Sequence, residues 1–281
     1  MNMDKNAVQR ILDSFVRESD LNLVSPADAI RSDLIGFRMY EQPLVGFAAA
    51  DDPFFEQLLR PEVIGPHFHP PRVWLTEAKT VISFFLPYTR PVIDTNQLDP
   101  KWPSDEWLHA RIEGQRFINA LSAHLVERLT EAGWPAIAPS IHPDFKAWAD
   151  TNAEEGTGTP LFSSNWSERH VAHVAGLGTF GLSAGFITSR GMAGRIGSVV
   201  TALPLAADKR PYSRYDEYCT HCGACVDRCQ ASAISPANGK NKRVCSGVMD
   251  MMKKKYAPRY GCGKCYVRVP CSRRIPAGAR R

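Results

Sequence analysis

All eight cysteines of this 281-residue chain fall in its last third, between Cys219 and Cys271. The first four read Cys219-Thr-His-Cys222-Gly-Ala-Cys225-Val-Asp-Arg-Cys229, a C-x2-C-x2-C-x3-C run. The other four are Cys245, the pair Cys262-Gly-Lys-Cys265, and Cys271. A [4Fe–4S] cube needs four thiolates from short, tight turns that converge on one face, and this run has the spacing that supplies them. Eight cysteines make two full sets. The chemistry expected of the chain is one-electron transfer, and the question becomes what receives the electrons.

In two-cluster ferredoxins the fourth cysteine of such a run ligates the other cube. The spacing therefore predicts Cys219, Cys222, Cys225 and Cys271 on one cube and Cys229, Cys245, Cys262 and Cys265 on the other. Structural zinc is the competing reading, because two C-x2-C pairs also suit zinc. Successive x2, x2 and x3 spacings are unusual for zinc and favour the cubes. Ferredoxin runs carry a proline after the last cysteine, and here that position is Gln230. That proline shapes a turn and supplies no ligand.

Other candidate sites are weaker. Ala175-Gly-Leu-Gly-Thr-Phe-Gly181 follows Ser167-Glu-Arg-His-Val-Ala-His-Val174. Glycines let a backbone approach a flat or phosphate-bearing ligand, but a helix C-cap and turn explains them equally. The six-residue dinucleotide fingerprint fails here, and no strand directly precedes the segment. His170 and His173, at i and i+3, share a helix face without an acidic partner at a matching spacing, so core or surface histidines are the commoner reading than a metal pair. His67 and His69 alternate in a proline-bounded segment that could line a pocket or pack as a loop.

Charge is split along the chain. Residues 240–281 hold thirteen Lys/Arg and one acid, Asp250, for a net +12, whereas the remainder carries −7. A basic end can bind nucleic acid. It also offsets the negative charge of thiolate-ligated clusters and can dock an acidic electron donor, which is the reading preferred here. Hydrophobic residues make up 44% and charged residues 22%, as in soluble globular domains. The longest apolar runs, such as Val81–Leu86, are strand-length, so no membrane span is expected. The N-terminus shows neither an apolar signal nor twin arginines, and a cytoplasmic location is expected.

The elements that must position these residues alternate. Residues 5–19 carry a helical stripe of Val8, Ile11, Leu12, Phe15 and Val16. Leu44–Ala48 and Val81–Leu86 read as buried strands. Asp105–Ala132 reads as the longest helix, opened by Ser104 and closed by Gly133. Ala136–Ala138 reads as a strand, and residues 139–163 as a polar loop long enough to be a lid. A helix starting near Asn165 leads to Ala175. Gly185–Ser189 and Gly197–Leu203 read as strands, paired around Arg190–Gly194. Alternation over about 205 residues argues for an α/β layer architecture. The small loop-rich module that follows needs its clusters to stay folded. Two domains are expected, 1–205 and 206–281.

Taken together, Glu168-Arg-His-Val-Ala-His-Val-Ala-Gly-Leu-Gly178, Gly197-Ser-Val-Val-Thr201 and the double cysteine run resemble the epoxyqueuosine reductase and reductive dehalogenase superfamily. The resemblance covers most of the chain. It implies an α/β domain resembling nitroreductases that binds cobalamin base-off, followed by a two-cluster ferredoxin-like domain. The clusters would relay electrons from a reduced ferredoxin or flavodoxin to cobalt, which drives reduction of the substrate. It implies corrinoid contacts at Gly176, Leu177, Gly178, Thr179 and Gly181, and at Gly197, Ser198 and Thr201. Two features depart from the family. Epoxyqueuosine reductases carry an aspartate, taken as the proton donor, about six residues before the Glu-Arg pair, where this chain has Pro160-Leu-Phe-Ser-Ser-Asn165. Many also carry a helical-repeat tail that helps hold transfer RNA, and this sequence stops just after the last cysteine. A small-molecule substrate is therefore expected rather than transfer RNA. His170, Arg169 and Tyr88 are the candidate proton donors, with His170 the easiest on intrinsic pKa. The alternatives are an electron-transfer or activator protein that re-reduces a corrinoid on a partner, a flavin enzyme, and a zinc-stabilised nucleic-acid binder.

Overall fold

The structure is a computed structural model that describes residues 3–148 and 162–279. Most of the segment expected to form a lid lies outside the described residues.

Helix α1 (Lys5–Glu18) is capped by Asp4, whose carboxylate accepts from Ala7 N at 2.7 Å. Its stripe buries Val8, Leu12 and Val16, the spacing of one helical face. Strand β1 (Leu44–Ala49) precedes two short helices, α2 (Pro53–Gln57) and α3 (Pro71–Trp74). Strand β2 (Thr80–Pro87) follows, then α4 (Arg90–Asn96) and the 27-residue α5 (Asp105–Glu131). Ser104 Oγ caps α5 by accepting from Trp107 N at 3.2 Å. Next come β3 (Ala136–Ile137), β4 (Ala147–Trp148) and β5 (Ser163–Ser164). Helix α6 (Glu168–Val174) leads into β6 (Gly178–Phe180), β7 (Phe186–Thr188) and β8 (Gly194–Thr201). The cysteine-bearing end holds α7 (Ala224–Asp227), β9 (Ile234–Ser235), β10 (Gly239–Lys240) and α8 (Lys242–Tyr256).

The main sheet has the order β1-β2-β8-β3, with every pair antiparallel. All eight residues of β2 are buried, as a central strand covered on both faces requires. Successive side chains feed opposite layers. Ile82, Phe84 and Leu86 join a core with α1 and α5, built on Leu12, Val16, Phe117 and Leu121. Val81 joins the opposite core with Trp166, Val171 and Val174 around α6. Truncating a ring such as Phe84 to alanine costs about 3–5 kcal/mol. The result is a mixed α/β sandwich with helices on both faces of the sheet. A third apolar cluster joins Ile187 and Met192 to Tyr212, Tyr218 and Val269, with Cys219, Cys225 and Cys271 packed against it.

One expectation fails. Strand β7 does not pair with β8 across Arg190–Gly194. It pairs with β6, with Thr179 opposite Ile187, and β8 inserts between β2 and β3. The glycine-rich segment therefore forms one strand of a short hairpin. A Cβ on Gly178 would stand 2.0 Å from the carbonyl oxygen of Ile187, so only glycine lets those two backbones approach.

Residues 203–210 carry neither helix nor strand and run beside β1. Asp208 accepts from Phe47 N and pairs with Lys5, and Arg210 pairs with Asp52 at 2.6 Å. Among the described residues no helix is long and apolar enough to cross a membrane.

Candidate active site and cluster sites

The eight cysteines fall into two places. Cys219, Cys222, Cys225 and Cys271 surround a small pocket roofed by Gly181, Leu182, Ser183 and Met192. Leu182 N donates to Cys219 Sγ at 3.4 Å. Burial pushes the Cys271 thiol up to about 12, helped by the neighbouring Cys219, Cys225 and Cys222. Cys229, Cys245, Cys262 and Cys265 lie together along one wall of a much larger cavity. Burial likewise pushes Cys265 up to about 12. Lys240 opposes that shift, while Cys262, Cys245 and Cys229 add to it. Ala233 N donates to Cys229 Sγ at 3.3 Å and Gln230 Nε2 to Cys262 Sγ at 3.2 Å. Such N–H···S bonds stabilise thiolate charge and tune a cluster's potential. Among the described residues no three of His, Cys, Asp and Glu close tightly on one point as a single metal ion would require. Each set of four borders a volume instead.

The second set is anchored to the α/β layers through buried polar contacts. Lys264, only 1% exposed, donates to Asn96 O at 2.7 Å and to Trp102 O at 2.8 Å. Asn96 Nδ2 donates to Cys262 O at 3.1 Å. Gly263 has φ +66° and presses on Trp107 of α5. Arg259 donates to Glu113 on α5 at 2.9 Å, and the same carboxylate bonds His109 Nδ1 at 3.0 Å. Ile30 N donates to His109 Nε2, so Nδ1 carries the proton shared with Glu113. Burial would raise Glu113, but the bonds from His109 and Arg259 outweigh it and hold the carboxyl below its usual range.

The cavity measures about 680 Å³, within the ~300–1,000 Å³ common for small-molecule sites. One face of α5 lines it: Trp107, Arg111, Gln115, Ile118 and Ser122 recur at spacings of four or three, as one helical face does. The Gly194–Gly197 half of β8 supplies a second wall, together with Phe85 and Tyr88. Val248 and Met249 of α8, beside the cysteines, supply a third. Ser140, Phe145, Glu168 and Arg169 complete it.

Glu168 is the acid on that wall. Its Oε2 accepts from Ser198 Oγ at 2.7 Å, and Ser140 bonds Oε1. Ser198 in turn accepts the indole N–H of Trp166 at 2.9 Å. Burial raises the carboxyl to about 7, against the lowering effect of its bonds to Ser140, Ser198 and Trp166. A group poised there can give or take a proton near neutrality. The sequence signal was present in the Glu-Arg pair. What the sequence does not carry is the burial that tunes it.

The residues singled out in the sequence are distributed as follows. Tyr88 and Arg169 line the cavity. Burial raises Tyr88 above its ordinary value, which opposes ionisation. His170 stands outside the cavity wall, against Phe180 with ring centroids 4.8 Å apart, its Nδ1 bonded to Ser167 Oγ at 2.7 Å. Burial, with Arg169, His173 and Lys242 nearby, lowers it to about 3. It is neutral at pH 7, and its intrinsic advantage as an acid is lost. Gly176 closes α6, and Gly178 and Thr179 pair in the β6–β7 hairpin. Thr179 Oγ1 accepts from Tyr218 N, and Gly181 borders the first cysteine pocket. Leu177 packs on Gly46. These five do not line the large cavity. Of Gly197, Ser198 and Thr201, Gly197 lines it, Ser198 reaches it through Glu168, and Thr201 bonds Pro135 O at 3.0 Å.

The fold and site thus define a mixed α/β protein whose cysteine-rich end forms one wall of a large cavity. Residues 213–235 match the family model of the 4Fe-4S binding domain. No curated protein sequence matches the chain. Among solved structures, the chain is similar to the catabolic reductive dehalogenase NpRdhA in complex with 3-bromo-4-hydroxybenzoic acid. The TM-score is 0.52 at 16% identity, over 85% of this chain and 31% of that one. It is also similar to a reductive dehalogenase whose structure suggests a mechanism for B12-dependent dehalogenation, with TM-score 0.51, 16% identity and the same coverages of 85% and 31%. Epoxyqueuosine reductase from Streptococcus thermophilus aligns with TM-score 0.48 and 20% identity, over 82% of this chain and 62% of that one. The chain spans less than two thirds of that reductase and about a third of the dehalogenases. At these identities the similarity to the two dehalogenases establishes a shared fold.

Proposed function

We propose that the chain is an iron–sulfur reductase that uses cobalamin, with two [4Fe–4S] clusters feeding a small-molecule site. The observation that carries this reading is the shared wall. Cys229, Cys245, Cys262 and Cys265 face the same cavity as the half-buried acid Glu168. A cluster held by the second set would adjoin the cavity and supply electrons there, and one held by the first set would relay to it. Reduction of the substrate takes two electrons, delivered singly by a reduced ferredoxin or flavodoxin, and protons at the carbon that gains hydrogen. Glu168 is assigned as the proton source, in place of the aspartate missing from Pro160–Asn165. The exposed Lys253, Lys254 and Lys255 at the end of α8 offer a basic face for an acidic donor protein.

The cavity lining suits a corrinoid. The ring of Tyr266 can pack on a macrocycle, and the amides of Gln115 and Asn119 can meet its carboxamides. Buried N–H groups of Arg111 and Arg195 have no partner within the protein. Bound there, cobalamin would supply a strongly reducing metal centre. The chain's own residues would enclose it, exclude water and hold the proton on Glu168.

The test is an anaerobic titration of cluster-reconstituted protein with cob(II)alamin, followed by visible absorption and EPR. About eight irons per chain and a base-off cobalt signal are expected. Full clusters without cobalamin binding would overturn this reading and leave an electron carrier or a flavin enzyme.

A further inference from the structure

We infer that Arg111 and Arg195 form an oxyanion subsite inside the cavity, built to take a carboxylate or phosphate group. Arg111 projects from α5 and Arg195 from β8, and both line the cavity. Arg111 Nε and Arg195 Nη1 are buried and make no hydrogen bond. Among the described residues neither guanidinium has an acidic neighbour. Arg195 bonds Gln115 Oε1 and neighbours Tyr88, and Arg111 lies 4.7 Å over the Tyr260 ring. All of these partners are neutral. The two cations also face each other, and burial together with Arg195 lowers the pKa of Arg111.

Buried charge without a counter-charge is costly, and buried cations are ordinarily paired. The cavity's own groups do not provide the pairing. Glu168 is its one acidic side chain among the described residues, and that carboxyl is occupied by Ser140 and Ser198. Lys240 sits against Cys265 and Cys245 and takes up part of the negative charge of that set. The unmade hydrogen bonds of Arg111 Nε and Arg195 Nη1 point to an acceptor brought by a ligand. Guanidinium forks match carboxylate and phosphate oxygens geometrically.

On the reductase reading above, the ligand is an anionic substrate. The same chemistry could come from the phosphate of cobalamin's nucleotide tail, and two arms of one experiment separate them. In the first arm, cluster-loaded protein without cobalamin is titrated with benzoate and with inorganic phosphate by calorimetry, alongside Arg111→Gln and Arg195→Gln. Saturable binding that weakens at least tenfold in each variant is expected, with an anion-dependent rise in melting temperature confined to the wild type. No binding, or equal binding in the variants, overturns the subsite. In the second arm, cobalamin is compared with cobinamide, which lacks the phosphate. Variants that weaken cobalamin alone assign the anion to the cofactor and overturn the substrate assignment while keeping the subsite. Benzoate binding that persists in cobalamin-loaded protein assigns it to the substrate. The first arm needs no cobalamin, so failure of the reductase reading leaves its result standing.

Discussion

Ser198 Oγ stands 2.7 Å from Glu168 Oε2 and donates to it, while the same hydroxyl oxygen accepts from the indole N–H of Trp166. The carboxyl is thereby aimed into the cavity from the junction of β8 and α6, while burial keeps its proton affinity high. Its value of about 7 in the folded chain lies above the ordinary 4.5. The folded state binds more protons than the unfolded state between those values, so stability falls as pH rises through that window. The full effect is no more than about 3 kcal/mol, and less where the cavity admits water. Glu168→Gln should match the wild type in melting temperature at pH 4.5 and exceed it at pH 8. A variant less stable than the wild type at pH 8 would show that the ionised carboxylate is well accommodated. On the proposed function, the same variant should lower turnover by about 10²–10⁴-fold while retaining full iron content.

The two cysteine sets should separate in variants. Cys225→Ala should lose the first cube and Cys265→Ala the second, each lowering iron from about eight to about four per chain. Only Cys265→Ala should also disturb ligand binding in the cavity, because only the second set lines it. Unchanged iron in Cys225→Ala would sink the first assignment.

The elements of the α/β layers were legible because their signals are local. The stripe of α1, the capping Ser104 of α5 and the unbroken apolar run of β2 each carry their own period or boundary. The cysteine spacing was legible for the same reason. The cavity was not. Arg111, Gln115 and Asn119 recur every four residues on α5 and read in sequence like a solvated face. Only the cysteine-bearing segment folding over them, through contacts such as Arg259 to Glu113, turns that face inward. The pairing of β7 with β6 was hidden for a related reason. Proximity in sequence to β8 suggested a hairpin, but the apolar run Val199-Val200 pairs with the central β2. The glycines of 176–181 were readable as a close-approach segment, and at Gly178 the backbone of β7 makes that approach.

Lys264 is a buried cation satisfied by main-chain carbonyls. Its ammonium holds Asn96 O and Trp102 O together and reaches Asn96 Oδ1 at 3.2 Å. Lys264→Met keeps the length of the aliphatic stem and removes all three bonds, leaving carbonyl oxygens unsatisfied beside the second cysteine set. A loss of about 2–4 kcal/mol is expected from unmade hydrogen bonds to a charged group. Thermal melting of cluster-loaded protein should show it, with iron released from the second set first. A variant as stable as the wild type would mean that water replaces the ammonium.

Gly263 and Trp107 should be energetically coupled. Gly263 adopts φ +66°, and a Cβ added there would stand 2.0 Å from the Trp107 ring. The ring is 5% exposed and packs edge-on against Tyr88 at 5.0 Å, so it has no room to retreat. Gly263→Ala therefore meets two penalties. The left-handed backbone costs about 1 kcal/mol for a residue with a Cβ, and the clash displaces the Cys262–Cys265 turn. The variant should lose the second cube while retaining the first. Trp107→Ala alone opens a hole worth about 3–5 kcal/mol. In the double variant the added methyl occupies part of that hole, so the two effects should sum to less than their separate costs. A coupling of about 1–3 kcal/mol in a double-mutant cycle, read from thermal unfolding, is the expected sign of contact. Strict additivity would show that the backbone at Gly263, and not the ring above it, demands the glycine.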